Sequence, residues 1–214
     1  MRKFLGFLFI LLSFATFGQD LPSREIITPS NFLGFKNGDA NIEGSTFLYE
    51  DWLANIVVFG ADNRTYRYNN ANYNLKERKF FVKLQNDSIY EINIKNLNYV
   101  VLNNKKFELV KGDYVERMAK GKINVFKQHA LSIKEGMKDG TTKEKITPDR
   151  YVVKSAYVYL KNDALVPFKL KKKAIIGILE LDDKKKFQSD IKKRKLSFKK
   201  EKDVIKIFEY YNSL

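Results

Sequence analysis

The sequence predicts an α+β protein that is mainly β: an antiparallel meander forms a partly closed sheet or barrel-like sandwich, and short helices follow at the C-terminus. Short runs rich in β-branched and aromatic residues recur through the middle of the chain, separated by residues that favour tight turns. Several runs alternate, so that Ile92 and Ile94 point away from Glu91 and Asn93. After Lys169 the apolar residues recur at helical spacing instead.

The N-terminal residues have the pattern of a secretory signal. Arg2 and Lys3 precede an apolar run from Phe4 to Phe14, which is too short to span a hydrocarbon core of about 30 Å. We interpret 1–19 as a cleaved signal peptide and 20–46, which Pro and Gly interrupt, as an extended leader. No Cys is available for a lipid anchor. We therefore expect an exported protein without a transmembrane segment in the mature chain, located in the periplasm or, as the alternative, outside the cell.

A β domain is predicted from residue 47 to residue 168. The expected strands cover 55–59, 64–69, 75–84, 88–94, 97–102, 106–110, 114–119, 123–133, 151–160 and 164–168. Residues 55–59 are apolar at nearly every position, so we expect this strand to be central and covered on both faces. The polar stretch 136–149 predicts a mobile loop.

Residues 169–214 predict a Lys-rich helical segment packed on the sheet. Three short helices are expected over 171–181, 183–195, and 199 or 201 to 211. In the third, Val204, Phe208 and Tyr211 form an apolar stripe that should dock on the sheet. The second helix has a narrower stripe and should lie at the surface. Ser197 is a candidate N-cap for the third helix.

The basic charge is concentrated in this helical segment. The chain carries 40 Lys and Arg against 25 Asp and Glu, a net charge of +15. Residues 169–214 alone carry a net +8, which includes the run Lys192, Lys193, Arg194 and Lys195. This run is a candidate contact for an anionic envelope component, and export makes nucleic acid the least favoured partner. The alternative is that the lysines only solvate the helices and complement their dipoles.

A second candidate contact lies in the early strands. In an extended strand Arg64, Tyr66 and Tyr68 line one face, where a guanidinium and two phenol rings could bind a sugar or a peptide. The alternative is an ordinary sheet face with cross-strand aromatic pairs, followed by an Asn-rich turn.

No catalytic, cofactor-binding or metal-binding residues are predicted. His129 is the only imidazole and Cys is absent, so histidine-rich and thiolate metal sites are excluded. We interpret His129 as a strand residue with a hydrogen bond. A Ser-His-Asp triad could formally use Ser45, Ser88 or Ser155, but we reject it because no G-x-S-x-G elbow occurs. Hydrolysis by paired Asp or Glu stays open, because separation in space cannot be read from a sequence.

One set of motifs resembles a known group. An exported chain with Tyr66-Arg67-Tyr68-Asn69 in an early strand and the ending Tyr210-Tyr211-Asn212-Ser213-Leu214 resembles a family of exported, β-rich proteins of Bacteroidota with Lys-rich helical C-termini. The resemblance implies an envelope location and this architecture, and it implies no catalytic residue. Together these observations predict a non-catalytic binding or scaffolding module of the cell envelope. Its partner is an anionic component or another envelope protein, and the alternatives are an Asp/Glu hydrolase or an electrostatic membrane-binding protein.

Overall fold

The computed structural model describes residues 27–29, 42–60, 64–93 and 97–214. The predicted signal peptide and most of the predicted leader lie outside these residues. Twelve strands and three helices occur in the described part of the chain: β1 Ile27–Pro29, β2 Ile42–Glu43, β3 Ala54–Gly60, β4 Thr65–Asn74, β5 Lys79–Lys83, β6 Ile89–Ile92, β7 Leu97–Leu102, β8 Lys105–Val110, β9 Asp113–Ala119, β10 Val125–Lys134, β11 Asp149–Lys161, β12 Ala164–Phe168, α1 Lys172–Ile178, α2 Lys184–Lys193 and α3 Glu201–Ser213.

All twelve strands belong to one large sheet that does not close. Its order is β1-β6-β5-β4-β3-β7-β8-β9-β10-β11-β12, and every pair is antiparallel except β2, which pairs in parallel with the start of β11. Tight turns join most neighbours, and Arg78, Asp87, Asn103 and Asn162 adopt the positive φ that such turns require. The predicted mainly β meander is therefore confirmed.

The sheet curls around the largest apolar cluster. Ile56 and Val58 of β3 are fully buried there. The Phe80 ring on β5 lies 5.0 Å from the Tyr114 ring on β9, although four strands separate β5 from β9 in the sheet. Only a strongly curved sheet can bring these rings together. We call the concave side that carries them the inner face.

The three helices form a second cluster against the end of the sheet. We call α1 to α3 the helical cap. The buried positions Val204, Ile207, Phe208 and Tyr211 of α3 confirm the predicted apolar stripe, and Phe208 meets Phe168 of β12 with ring centroids 5.8 Å apart. The side chain of Asn212 forms two hydrogen bonds with the backbone of Ile123, at 2.9 and 3.1 Å. The end of α3 is therefore anchored to the loop before β10.

Two expectations about the strands are wrong. β3 is central, but its second face is not covered, because Asn55 is exposed and Val57 and Phe59 are only half-buried. The stretch from Asn70 to Asn74 is strand rather than an Asn-rich turn. A register shift opposite Asn55 and a positive φ at Asn70 mark a bulge there, which lets β4 continue.

Ser197 is not the N-cap of α3, because the helix begins at Glu201, four residues later. Lys200 occupies the N-cap position without a side-chain cap, and the carboxylate of Asp203 instead accepts a hydrogen bond from the Ser197 backbone N–H. The stretch 136–149 contains a short bridge between Lys138 and Lys145.

Gly121 and Gly177 offer a matched test of the anchoring of α3. A Cβ atom at Gly121 would lie 2.6 Å from the Asn212 side chain, whereas one at Gly177 of α1 meets nothing within 4 Å. We expect G121A to lower the free energy of unfolding by about 1–3 kcal/mol because it displaces Asn212. We expect G177A to raise it by about 0.5–1 kcal/mol because Ala favours the helix. Denaturant unfolding measures both, and equal effects of the two variants would contradict this anchor.

Candidate functional site

A row of four polar side chains crosses the inner face between the two apolar clusters. Lys105, Glu116, His129 and Ser155 lie on the adjacent strands β8, β9, β10 and β11, and we call them the polar row. His129 and Ser155 are directly opposite each other in the register. The His129 Nε2 atom lies 2.9 Å from Glu116 Oε2, and its Nδ1 atom lies 2.9 Å from Ser155 Oγ. Lys105 Nζ lies 3.3 Å from the same Glu116 oxygen.

Glu116 is a buried carboxylate that the row keeps ionised. Its side chain is 7% exposed and that of His129 is 5% exposed. Burial alone would raise the pKa of Glu116, but the hydrogen bond with His129 and the charge of Lys105 outweigh it, so the pKa lies below its ordinary value. Because an ionised carboxylate only accepts hydrogen bonds, the tautomer of the neutral imidazole that fits this contact carries its proton on Nε2. Nδ1 then accepts a hydrogen bond from the Ser155 hydroxyl.

A second ionic group joins this row to the helical cap. Glu201, the first residue of α3, accepts hydrogen bonds from Lys127 Nζ at 2.7 Å and from the Tyr157 hydroxyl at 2.5 Å. Burial raises the pKa of Glu201, but these two hydrogen bonds together with the charges of Lys127 and Lys105 outweigh it, so the pKa is lowered. Lys127 lies opposite both Glu116 and Tyr157 in the register. The cap and the strands of the polar row are thus linked through charged groups.

Tyr49 reaches the polar row from the segment before β3. Its hydroxyl is buried without a partner at hydrogen-bond geometry, although the Asn103 side chain lies close to it. Burial raises the pKa of Tyr49, and Glu116 and Lys127 are near enough to act on its charge. The buried Asn72 amide holds the backbone of this segment through the carbonyls of Tyr49 and Asp51, at 2.9 and 3.0 Å.

A groove opens at the start of β11, the strand that carries Ser155. It has a volume of about 700 Å³ and lies between the segment 43–50 and the start of β11. Its apolar lining comes from Phe47, Leu48, Tyr151, Val152 and Val153, and Glu43, Glu50 and Arg150 add charged groups. Val153 lies two residues before Ser155 on the same strand, so both side chains point to the inner face. Ser155 is exposed and does not itself line the groove, which comes nearest to it along β11 at Val153.

Glu116, Glu201 and Asp149 do not have the raised pKa of a general acid. A carboxylic acid that donates a proton needs a raised pKa, but the pKa values of Glu116 and Glu201 are lowered. In the stretch 136–149, a backbone hydrogen bond from Gly136 and the ammonium of Lys145 likewise lower the pKa of Asp149. Within the described ranges, no group of three acidic or His side chains has the arrangement of a metal site.

The predicted ligand contacts are separated in the fold. Tyr66 and Tyr68 are half-buried against the first apolar cluster, and burial raises the pKa of Tyr68 to about 12. Arg64 is exposed and lies immediately before β4. The predicted basic contacts are all exposed at the end of α2: Lys192, Lys193, Arg194 and Lys195. The roles of both groups in ligand binding stay predictions.

Sequence reasoning missed Glu116 and Lys105. It placed His129 on a strand with a hydrogen bond, which the structure confirms, but it gave no reason to connect His129 with Glu116. The sequence signal lies in the order of the strands: once β9 and β11 are paired with β10, Glu116 and Ser155 lie on the two strands that flank His129.

No family model, no curated protein and no solved structure matches the chain. No helix in the described part of the chain is long and apolar enough to cross a membrane.

The buried carboxylates predict a specific acid dependence of stability. Because the folded-state pKa of Glu116 lies below its ordinary value of 4.5, its contribution is present above pH 4.5 and is lost as the pH falls through the folded value. We expect E116Q to lower the free energy of unfolding at neutral pH by roughly 1–3 kcal/mol and to flatten its decline in acid. Chemical unfolding over a pH series measures this. E144Q, at an exposed position, is the control, and an equal pH profile for both variants would contradict the assignment.

Proposed function

We propose that this protein is an exported binding module of the cell envelope, and that its helical cap adsorbs to acidic phospholipid headgroups. The observation that carries the proposal is the exposure of the cap's cations. Residues 169–214 contain fifteen Lys and Arg residues, and all fifteen are solvent-exposed. In the described residues only Lys193 of these has a carboxylate within 4.0 Å, that of Asp190 at 3.7 Å.

The acidic residues of the same segment are occupied elsewhere. Asp183 caps α2 by accepting two backbone hydrogen bonds. Asp203 accepts the Ser197 N–H, and Glu201 turns to Lys127 and Tyr157 on the sheet. These contacts hold the negative charges close to the fold. The positive charges project into solvent, where they can neutralise an anionic surface.

One helix face concentrates this charge. Phe187 and Ile191 are the buried residues of α2 and point into the second apolar cluster. At 3.6 residues per turn, the opposite side of the helix carries Lys185, Lys186, Lys192 and Lys193. The outward face of α2 is therefore almost entirely cationic, which suits contact with a flat charged surface.

The type of cation favours a diffuse anionic surface. Fourteen of the fifteen residues are Lys, and the guanidinium of the single Arg, Arg194, lies over the Tyr210 ring at 4.2 Å. Lysine acts as a compact, hydrated point charge, whereas arginine suits specific bidentate recognition. Each Lys near an acidic bilayer contributes about 1 kcal/mol. Four on one face suffice for reversible binding.

The test is co-sedimentation with vesicles of phosphatidylglycerol and phosphatidylcholine at low ionic strength. We expect the variant K185Q/K186Q/K192Q/K193Q to bind roughly a hundredfold to a thousandfold more weakly, because four surface charges are lost. Gln preserves the helix propensity of Lys, so the fold should persist. Binding of the unaltered protein should disappear in about 1 M salt, where the Debye length is about 3 Å.

The matched control is K120Q/K134Q/K154Q/K161Q, which removes four exposed lysines outside the cap. We expect it to retain most of the binding. Equal losses in the two variants would show that net charge alone is responsible and would refute a role for the cap. Equal binding to pure phosphatidylcholine vesicles, or binding to inorganic polyphosphate without binding to acidic vesicles, would overturn the lipid assignment.

A further inference from the structure

We propose that Ser155 is a nucleophile activated by His129, and that this site transfers acyl groups from carboxylic esters that carry an apolar acyl chain. Membrane binding does not require these residues, so the two proposals stand or fall separately. The chain has no G-x-S-x-G elbow, and for that reason its sequence does not predict a Ser-His-Asp triad. The sheet register nevertheless assembles a nucleophile, a base and an orienting carboxylate on three adjacent strands.

The nucleophile and the base are already in contact. Ser155 Oγ and His129 Nδ1 are 2.9 Å apart, within the range in which a general base takes a hydroxyl proton. The carboxylate of Glu116 accepts a hydrogen bond from Nε2–H, so the lone pair of Nδ1 faces the hydroxyl. This is the tautomer that the reaction needs. The Ser155 side chain is exposed, whereas that of His129 is 95% buried, so a substrate can reach the nucleophile and the base is held away from water.

Glu116 serves as a positioning residue. Its hydrogen bond fixes the ring of His129, and its charge stabilises the imidazolium that forms when the proton leaves Ser155. Lys105, 3.3 Å from the same oxygen, keeps Glu116 ionised. Ser155, His129 and Glu116 thus occupy the positions of nucleophile, base and orienting carboxylate on three paired strands.

Lys127 is the candidate for stabilising the developing oxyanion. Lys127 and Tyr157 are opposite each other, two positions along from His129 and Ser155, and therefore on the same face of the sheet. Diagonal neighbours in a sheet lie about 7–8 Å apart, which a Lys side chain spans once its ammonium turns towards Ser155 from Glu201, 2.7 Å away. The Lys127 side chain is 17% exposed, so its charge acts in a partly desolvated environment where it stabilises an oxyanion more strongly.

The groove gives the substrate class. Phe47, Leu48, Tyr151 and Val153 form its apolar side, and Val153 lies two residues before Ser155 on β11. Glu43, Glu50 and Arg150 also line it. Its volume of about 700 Å³ exceeds what an acetyl group fills and suits a medium-length acyl chain. Burial of each methylene contributes about 0.8 kcal/mol, so longer acyl chains should react faster than acetate.

The reaction has two stages, acylation of Ser155 and hydrolysis of the acyl-enzyme. Ser155 Oγ attacks the ester carbonyl carbon as its proton passes to His129 Nδ1, and the carbonyl oxygen becomes an oxyanion. The C–O bond to the alcohol breaks, and the leaving alkoxide takes the proton from Nδ1. Water then attacks the Ser155 ester, loses a proton to Nδ1 and releases the carboxylic acid, while Ser155 Oγ recovers that proton.

The first experiment exploits the absence of Cys from the chain. S155C creates a single thiol, and S132C places one on β10 with its side chain on the opposite face. At about pH 6.5, well below the ordinary thiol pKa of about 8.5, we expect iodoacetamide to alkylate S155C at least tenfold faster than S132C, because His129 promotes thiolate formation. Adding H129Q or E116Q to S155C should remove this advantage and shift the pH profile of alkylation upward. Equal rates for S155C and S132C, or an advantage that survives H129Q, would overturn the proposal.

The second experiment uses the unaltered chain. A fluorophosphonate probe followed by peptide mapping should modify Ser155, and p-nitrophenyl octanoate should be hydrolysed faster than p-nitrophenyl acetate. S155A should abolish both signals, whereas S132A should leave both unchanged. Circular dichroism verifies that each variant is folded. Modification elsewhere, or ester hydrolysis that S155A leaves intact, refutes the assignment.

Discussion

One buried negative charge organises the middle of this sheet. The Glu116 carboxylate lies between two apolar clusters, where an unpaired charge would cost several kcal/mol. Its partners must therefore come from the flanking strands: Lys105 from β8 and His129 from β10. These contacts require a particular register of three strands. A one-residue slip would turn the partners to the other face and leave the charge unpaired.

The same constraint connects the sheet to the helical cap. Lys127 lies opposite Glu116 on β10, but its hydrogen bond goes to Glu201 of α3. The cap is thus held by apolar packing beneath it and by an ionic contact at the first residue of α3. Because Glu201 turns to the sheet, it does not pair with the lysines of residues 169–214, all of which are exposed. The contact between Lys127 and Glu201 thus both attaches α3 to the sheet and removes one carboxylate from the surface that carries the lysines.

Sequence patterns predicted most of the architecture because those patterns are local. Alternation such as that around Phe107 reports which side of a strand is buried, and the stripe of Val204 and Phe208 reports a helix face. Where the prediction was wrong, a tertiary contact prevailed over a local preference. The backbone beyond Asn70 continues as a strand because Asn72 and Asn74 find buried partners at Tyr49 and Thr46. Propensity alone assigns these asparagines to a turn.

The sequence by itself determined the mainly β composition, the order of strands and helices, and the concentration of positive charge near the C-terminus. The candidate site depended on the tertiary structure. Glu116, His129 and Ser155 are separated by 13 and 26 positions along the chain, and only the pairing of β9, β10 and β11 makes them neighbours. Strand pairing is a long-range interaction whose register follows from the burial of whole faces, so no short motif encodes it.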